Sequence, residues 1–335
     1  MIKDRLLDAA FGAGWALVCK LPESWARGLF TCGADIAWRR QGGGVQVLEG
    51  NLLRVLRSRQ ADGQPRPELA QVDGAQLRAL SRLVMRSYAR YYLEAFRIQV
   101  YSPERISAGM HIDQRNVEVC LEHLKNGRGV ILALPHMGNF EQAGAWVIGQ
   151  GAGSFTTVAE RLKPESLFER FLKFREQLGF EVLPTTGGPN PSGVMAQRLR
   201  KGKLVCLVAD RDLSNTAVEV DFFGEKALLP AGPAALAVQT GAALMPVSCW
   251  FVGEEEWGAH IYDEIPVPDS GDRREKVATM TRQLAAVFEG AIKEQPQDWH
   301  MLQRIFIADL DPERLARSRG GAGLNGGPEK AAAAS

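Results

Sequence analysis

The chain has 335 residues, 45% of them hydrophobic, 8% aromatic and 24% charged, a globular balance that excludes global disorder and the collagen-like and disulfide-scaffold classes. Lys and Arg number 40 against 39 Asp and Glu, for a formal charge of +1, which argues for no nucleic-acid partner. The five cysteines, Cys19, Cys32, Cys120, Cys206 and Cys249, lie far apart without a C-x-x-C pair, so they make neither a zinc site nor a disulfide framework and read as reduced cytosolic thiols.

Charge is unevenly placed. Residues 1–100 carry 15 Lys/Arg against nine Asp/Glu, a net of +6, which leaves −5 for the remainder. One part of the molecule is therefore expected to face something anionic, such as a phospholipid headgroup or a phosphorylated ligand.

No window reaches the roughly 18 apolar residues of a membrane-spanning helix. The strongest, Ala9–Cys19, is preceded by Asp4 and Asp8 and closed by Lys20, which disqualifies it as a signal peptide. The first hundred residues read as helices. Trp15, Trp25, Leu29, Phe30, Ile36 and Trp38 stand among Ala and Gly, with Arg39 and Arg40 directly after, a composition that suits either a bilayer interface or a core. Residues 41–44 and 60–67 are Gly- and Pro-bearing breaks. A long helix is expected from Asp73 to Gln99, with Arg78, Arg82, Arg86 and Arg90 in one stripe. Like charges in i,i+4 register repel, so acidic partners or lipid phosphates must compensate them.

From about residue 127 the pattern changes to strand–helix alternation. Gly129–Leu134 is a continuous apolar run, as expected of a strand covered on both faces. Further strands are expected at Thr156–Val158, Phe180–Leu183, Leu204–Ala209, Val218–Phe223, Ala243–Phe251 and His260–Ile265, with helices at 139–148, 164–178, 190–201, 232–240 and 272–293. This implies an α/β fold with a central mixed or mostly parallel sheet flanked by helices, and a helical N-terminal region. The expected organisation is a helical, membrane-facing region over 1–110, an α/β core over 111–317, and a low-complexity, disordered tail over 318–335.

Ligands of such sheets sit beyond the carboxyl ends of the strands, where this chain reads Leu134-Pro135-His136-Met137-Gly138-Asn139-Phe140-Glu141. Asn139 can cap the next helix, and Glu141 falls in its first turn. A carboxylate beside an imidazole makes a general base for deprotonating an alcohol. Other chemistries lack their residues: no H-E-x-x-H, no G-x-S-x-G and no P-loop is present, so neither a metal nor a bound cofactor is expected. Direct transfer between two bound substrates fits this inventory. Glu219 and Asp221 share one face of a predicted strand, and Glu219 is a second candidate partner for the imidazole. Arg175 and Arg211 are candidates for phosphate or thioester-oxygen contacts, with Glu160, Arg161 and Asp210 beside strand ends as further substrate-binding candidates.

The segment LPHMGNFE resembles the H-x4-[D/E] motif of the glycerolipid acyltransferase superfamily, in its lipid A biosynthesis lauroyl acyltransferase branch. Within that branch it is most similar to the phosphatidylinositol mannoside acyltransferases, through TTVAERLKPE (156–165), FLKFREQL (171–178), ADRDLS (209–214), VEVDFFGE (218–225) and PAGPAALAVQTGAALMP (230–246). The resemblance implies a peripheral enzyme on the cytoplasmic face of the plasma membrane, bound to an anionic lipid surface. It would move a long acyl chain, typically palmitoyl, from acyl-CoA to the 6-hydroxyl of a mannose in a phosphatidylinositol mannoside glycolipid, with His136 as base and Glu141 or Glu219 polarising it. Transfer to a lipid A-type or glycerol phosphate acceptor, and a non-catalytic membrane-binding relative, are the rival readings.

Overall fold

The computed structural model describes residues 12, 14–61, 72–160, 165–188, 190–212, 216–312 and 315. The tail over 318–335 lies outside the described residues, as does most of the 60–67 break.

Three long helices come first: α1 (Glu23–Arg40), α2 (Gly43–Ala61) and α3 (Gly74–Arg97). Helix α1 carries Glu23 in its first turn and Arg39 and Arg40 in its last, in the sense that complements the helix dipole, and ends where Gln41 turns left-handed at φ 50°. Asp73 caps α3 by accepting from the Ala75 amide. The arginine stripe of α3 is compensated from within the fold. Asp35 of α1 accepts from both Arg82 and Arg86 at 2.6–3.0 Å, Arg78 reaches Glu49 at 2.7 Å, and Arg90 reaches Glu94 at 2.6 Å.

The helices α4 (Pro103–Ala108), α5 (Gln114–Lys125), α6 (Phe140–Val147), α7 (Glu165–Gln177), α8 (Pro191–Arg200), α9 (Gly232–Thr240) and α10 (Arg273–Glu294) alternate with nine strands. These are β1 (Met110–Ile112), β2 (Val130–Leu134), β3 (Phe155–Ala159), β4 (Phe180–Pro184), β5 (Leu204–Val208), β6 (Ala217–Phe222), β7 (Glu225–Pro230), β8 (Ala243–Val252) and β9 (Glu256–Ile261). Seven form one sheet in the order β1-β9-β8-β2-β5-β3-β4, parallel throughout except for the β8–β9 pair. The expected α/β architecture, mostly parallel and flanked by helices, is the one observed.

Two expectations change. The last predicted strand, His260–Ile265, is displaced: β9 starts at Glu256, and Ile265 meets the sheet only in an isolated bridge to Leu244. Gly258 hides the strand in the sequence yet permits it, because a Cβ there would lie 2.1 Å from the Trp250 indole. The strand bearing Glu219 does not join the central sheet. It pairs antiparallel with β7 as a separate hairpin.

Residue parity splits the sheet into two cores. Ile131 and Ala133 of β2, with Val205 and Leu207 of β5, face α2, α8, α9, α10 and the hairpin. Val130, Leu132 and Leu134, with Leu204, face α5 and α6. No helix among the described residues is long and apolar enough to cross a membrane.

Candidate active site

Strands β2 and β5 are parallel neighbours in the register Leu134↔Val208, and the Ala209 amide donates to the Leu134 carbonyl at 2.7 Å. Two residues past those paired ends, on the same face, stand His136 and Asp210. The imidazole Nδ1 lies 2.6 Å from Asp210 Oδ1, and the His136 backbone amide donates to Oδ2 at 2.9 Å. Trp299 Nε1 donates to the same Oδ2 at 2.9 Å. Asp210 is fully buried. Burial pushes its carboxyl pKa up, but the adjacent imidazole, the Trp299 N–H and the His136 amide outweigh this and hold it below the usual range. An ionised Asp210 accepts from Nδ1–H and leaves Nε2 of His136 as an acceptor. The His136 side chain is 32% exposed, on the wall of a cavity.

The loop carrying His136 is clamped by the segment after α10. The His300 amide donates to the His136 carbonyl at 2.7 Å, and the Gly138 amide donates to the Asp298 carbonyl at 2.9 Å. Gly138 sits at φ +56°, and a Cβ there would lie 2.5 Å from the Cys249 backbone, so only glycine lets the loop approach β8 so closely. Asn139 then caps α6 by accepting from the Gln142 amide.

The partner of the imidazole is thus neither Glu141 nor Glu219. Capping at Asn139 turns Glu141 into the first turn of α6, away from the ring and toward α7, where it ion-pairs with Arg175. Tyr91 donates to the same carboxylate at 3.4 Å. Burial lowers the Arg175 pKa, but Glu141 more than offsets it, and the guanidinium stays charged. Glu219 is exposed on the outer face of the β6–β7 hairpin, while its neighbours Val220 and Phe222 fill the inner face. The solvent-facing position expected of such alternation explains its acidity without a role beside His136. Asp210, expected among the substrate-binding residues, is the residue that bonds the His136 ring and amide. Glu160 and Arg211 come together at 2.9 Å beside the cavity. Arg161 lies outside the described residues.

The cavity has a volume of about 430 Å³, and all seven strands of the central sheet contribute to its floor. At about 4.8 Å between strands, such a floor makes an elongated slot. Its lining is mainly apolar, with Leu132, Leu134, Val208, Val247 and the thiols of Cys206 and Cys249, while His136, Glu160, Arg175 and Arg211 supply the polar groups. Burial pushes the Cys249 thiol up to about 12 and Cys206 well above its ordinary value, so both are neutral, lipid-like surface. His300 also lines the slot. Burial, aided by the neighbouring His136, pushes its pKa down to about 3, and Ser87 Oγ lies 2.8 Å from its Nε2.

Sequence reasoning missed Asp298, Trp299 and His300. Their one signal is a polar-aromatic run, Pro296-Gln297-Asp298-Trp299-His300, just beyond the last long helix.

A family described as bacterial lipid A biosynthesis acyltransferase matches residues 4–307. The chain belongs to that acyltransferase family. The match spans the helical layer, the sheet and the Asp298–His300 clamp, so every group placed around His136 above lies inside it. A phosphatidylinositol mannoside acyltransferase of Mycolicibacterium smegmatis is 46% identical over 314 residues, covering 93% of this chain and 95% of the relative. A protein of the same name from Mycobacterium tuberculosis is 44% identical over 313 residues, covering 93% and 92%. These matches agree with the resemblance carried by the H-x4-E segment.

Proposed function

We propose that this acyltransferase moves a long acyl chain, palmitoyl in the first instance, from acyl-CoA to the 6-hydroxyl of a mannose in a phosphatidylinositol mannoside. The observation that carries the reading is the His136–Asp210 pair opening onto an elongated apolar slot. Nε2 of His136 takes the proton as the sugar oxygen attacks the thioester carbonyl. The C–S bond then breaks, and the imidazolium returns the proton to the departing CoA thiolate. Asp210 stabilises the imidazolium in between. The slot holds the acyl chain, while Glu160 and Arg211 at its polar side suit a sugar or a phosphate. The two phosphatidylinositol mannoside acyltransferases that match 93% of this chain support that acceptor.

Peripheral attachment to anionic lipid belongs to the same reading. Trp25, Leu29 and Ile36 are exposed along one face of α1, and Arg39 and Arg40 follow them. A flat, cationic and aromatic helix face suits the headgroup boundary.

The test is purified protein with palmitoyl-CoA and a panel of phosphatidylinositol mannoside, lipid A-type and glycerol phosphate acceptors, followed by thiol release and product mass. The reading requires a palmitoylated phosphatidylinositol mannoside and a loss of about 10²–10⁴ in turnover in His136→Ala. Preference for another acceptor would replace the substrate assignment, and a variant retaining more than about a tenth of turnover would remove His136 as the base.

A further inference from the structure

His136 and Asp210 are held by a third group whose chemistry is unusually restrictive. The Trp299 indole has one donor and no acceptor. That donor meets Asp210 Oδ2 at 2.9 Å, on the oxygen that also takes the His136 amide, while Oδ1 faces Nδ1 at 2.6 Å. Both oxygens of a fully buried carboxylate are thereby assigned, and the carboxylate plane is set.

The indole itself cannot wander. Trp299 is fully buried, with ring centroids 6.2 Å from Phe222 and 5.7 Å from Phe223, and its backbone bridges Met137. The β6–β7 hairpin therefore contributes to the site through its inner face, by packing the ring that holds Asp210. The other histidine and the acids that line the cavity have partners of their own: His300 with Ser87, Glu141 with Arg175, and Glu160 with Arg211.

We propose that Trp299 is a positioning residue for His136, whose indole N–H pins Oδ2 of Asp210 so that Oδ1 alone takes the Nδ1 proton and Nε2 stays open to the cavity. The consequence for catalysis rests on reading His136 as the base. Without the N–H, the carboxylate is held by the His136 amide and ring alone, so it can turn about its own axis further than the three-point anchor allows, and the bond that selects the imidazole tautomer weakens.

The experiment removes the N–H and keeps the ring. Trp299→Phe is the first variant. Trp299→benzothienylalanine, which replaces N–H by sulfur in a ring of nearly the same shape, is the second and guards against a folding defect. In each, the ring nitrogens of His136 are followed by long-range ¹H–¹⁵N spectra, with His136→Ala giving the assignment, and transfer kinetics are measured alongside. The expected result is a neutral His136 held as the Nδ1–H tautomer in the wild type and a mixture of tautomers in both variants. Turnover should fall about tenfold, with the acyl-CoA KM within twofold, since a hydrogen bond to an ion is worth about that factor. An unchanged tautomer in both variants overturns the proposal, whatever the rate does. An altered tautomer with unchanged turnover upholds the positioning role and overturns His136 as the base, so the two ideas fail separately.

Discussion

Glu94 of α3 and Asn139 at the cap of α6 share a 2.6 Å hydrogen bond that joins the N-terminal helical layer to the loop bearing His136. Glu94 Oε2 also accepts from Trp257 Nε1 at 2.7 Å, and its Oε1 takes Arg90 at 2.6 Å. Both Glu94 and Asn139 are buried, so these bonds form away from water, where leaving a group unpaired is costly. The loop is thus anchored from three sides: α3, the Asp298–His300 clamp and β5.

Asn139→Ala removes a helix cap, worth about 1 kcal/mol, and strips Glu94 of a buried donor, worth about 1–3 kcal/mol more. The expected result is a loss of about 2–4 kcal/mol in urea unfolding, with turnover reduced at temperatures where the fold persists. A loss under about 0.5 kcal/mol would show that the loop is anchored by the clamp and β5 without α3.

Replacing the acids one at a time separates their roles. Asp210→Asn keeps the shape but leaves an amide whose oxygen and nitrogen cannot both serve Nδ1–H and the two donors on Oδ2, so turnover should fall by at least about a hundredfold. Glu219→Gln, on the outside of the hairpin, should leave both kcat and stability unchanged, within about 0.5 kcal/mol for the latter. Glu141→Gln should act through Arg175, which loses its buried counter-ion, and lower stability by about 3 kcal/mol. If Glu219→Gln is as damaging to kcat as Asp210→Asn, the assignment of the imidazole's partner is wrong.

The limits of the sequence follow from where each signal resides. Strand β2 and the helix after it were legible because an apolar run ending in Pro135-His136 and a cap at Asn139 are local features. Strand β1 has three residues, too few to show alternation, and β9 is interrupted by the glycine that accommodates Trp250. The pairing of His136 with Asp210 was not legible, since it arises from the register of two strands more than seventy positions apart. Local spacing alone favours Glu141, nearer in the chain, but the cap geometry turns it toward Arg175. Trp299 was hidden for the same reason as Asp210, because its meaning depends on a bridge to Met137.

Glu23, at the start of α1, makes the fold's acid response testable. It pairs with Arg27 at 2.7 Å and with Arg105 of α4 at 2.9 Å. Partial burial pushes its pKa up, but hydrogen bonds from Arg105 and Arg27 prevail and bring it down from 4.5 to about 2. A carboxyl with a depressed folded value stabilises the fold above its unfolded value, and that contribution is lost as pH falls from about 4.5 to about 2. The group is partly solvated, so solvent screening limits the contribution to about 1 kcal/mol. Glu23→Gln should therefore be less stable than the wild type at pH 7, and the gap should close by about pH 2 in urea titrations. A gap that persists at pH 2 would mean that the glutamine disturbs packing instead of removing charge.

The arginine stripe of α3 and the apolar face of α1 make opposite claims on membrane attachment. Arg82 and Arg86 are tied to Asp35, whose carboxyl their hydrogen bonds hold far below the usual range. They therefore offer little free charge to a headgroup, and Arg82→Gln with Arg86→Gln should cost stability before it costs lipid binding. Trp25, Leu29 and Ile36 are 72%, 59% and 42% exposed, and they recur every four to seven residues along one side of the helix. Changing all three to Ser touches no core contact, so unfolding should shift by no more than about 0.5 kcal/mol per site. Burying each side chain in a bilayer is worth about 1.5–3 kcal/mol when complete. Even half of that, summed over three, predicts at least about a thirtyfold loss in partitioning to vesicles containing anionic lipid. Sedimentation with such vesicles checks it at low and high salt, since charge attraction from Arg39 and Arg40 is screened over about 8–10 Å. Equal partitioning of the triple variant and the wild type would show that α1 does not carry the membrane contact.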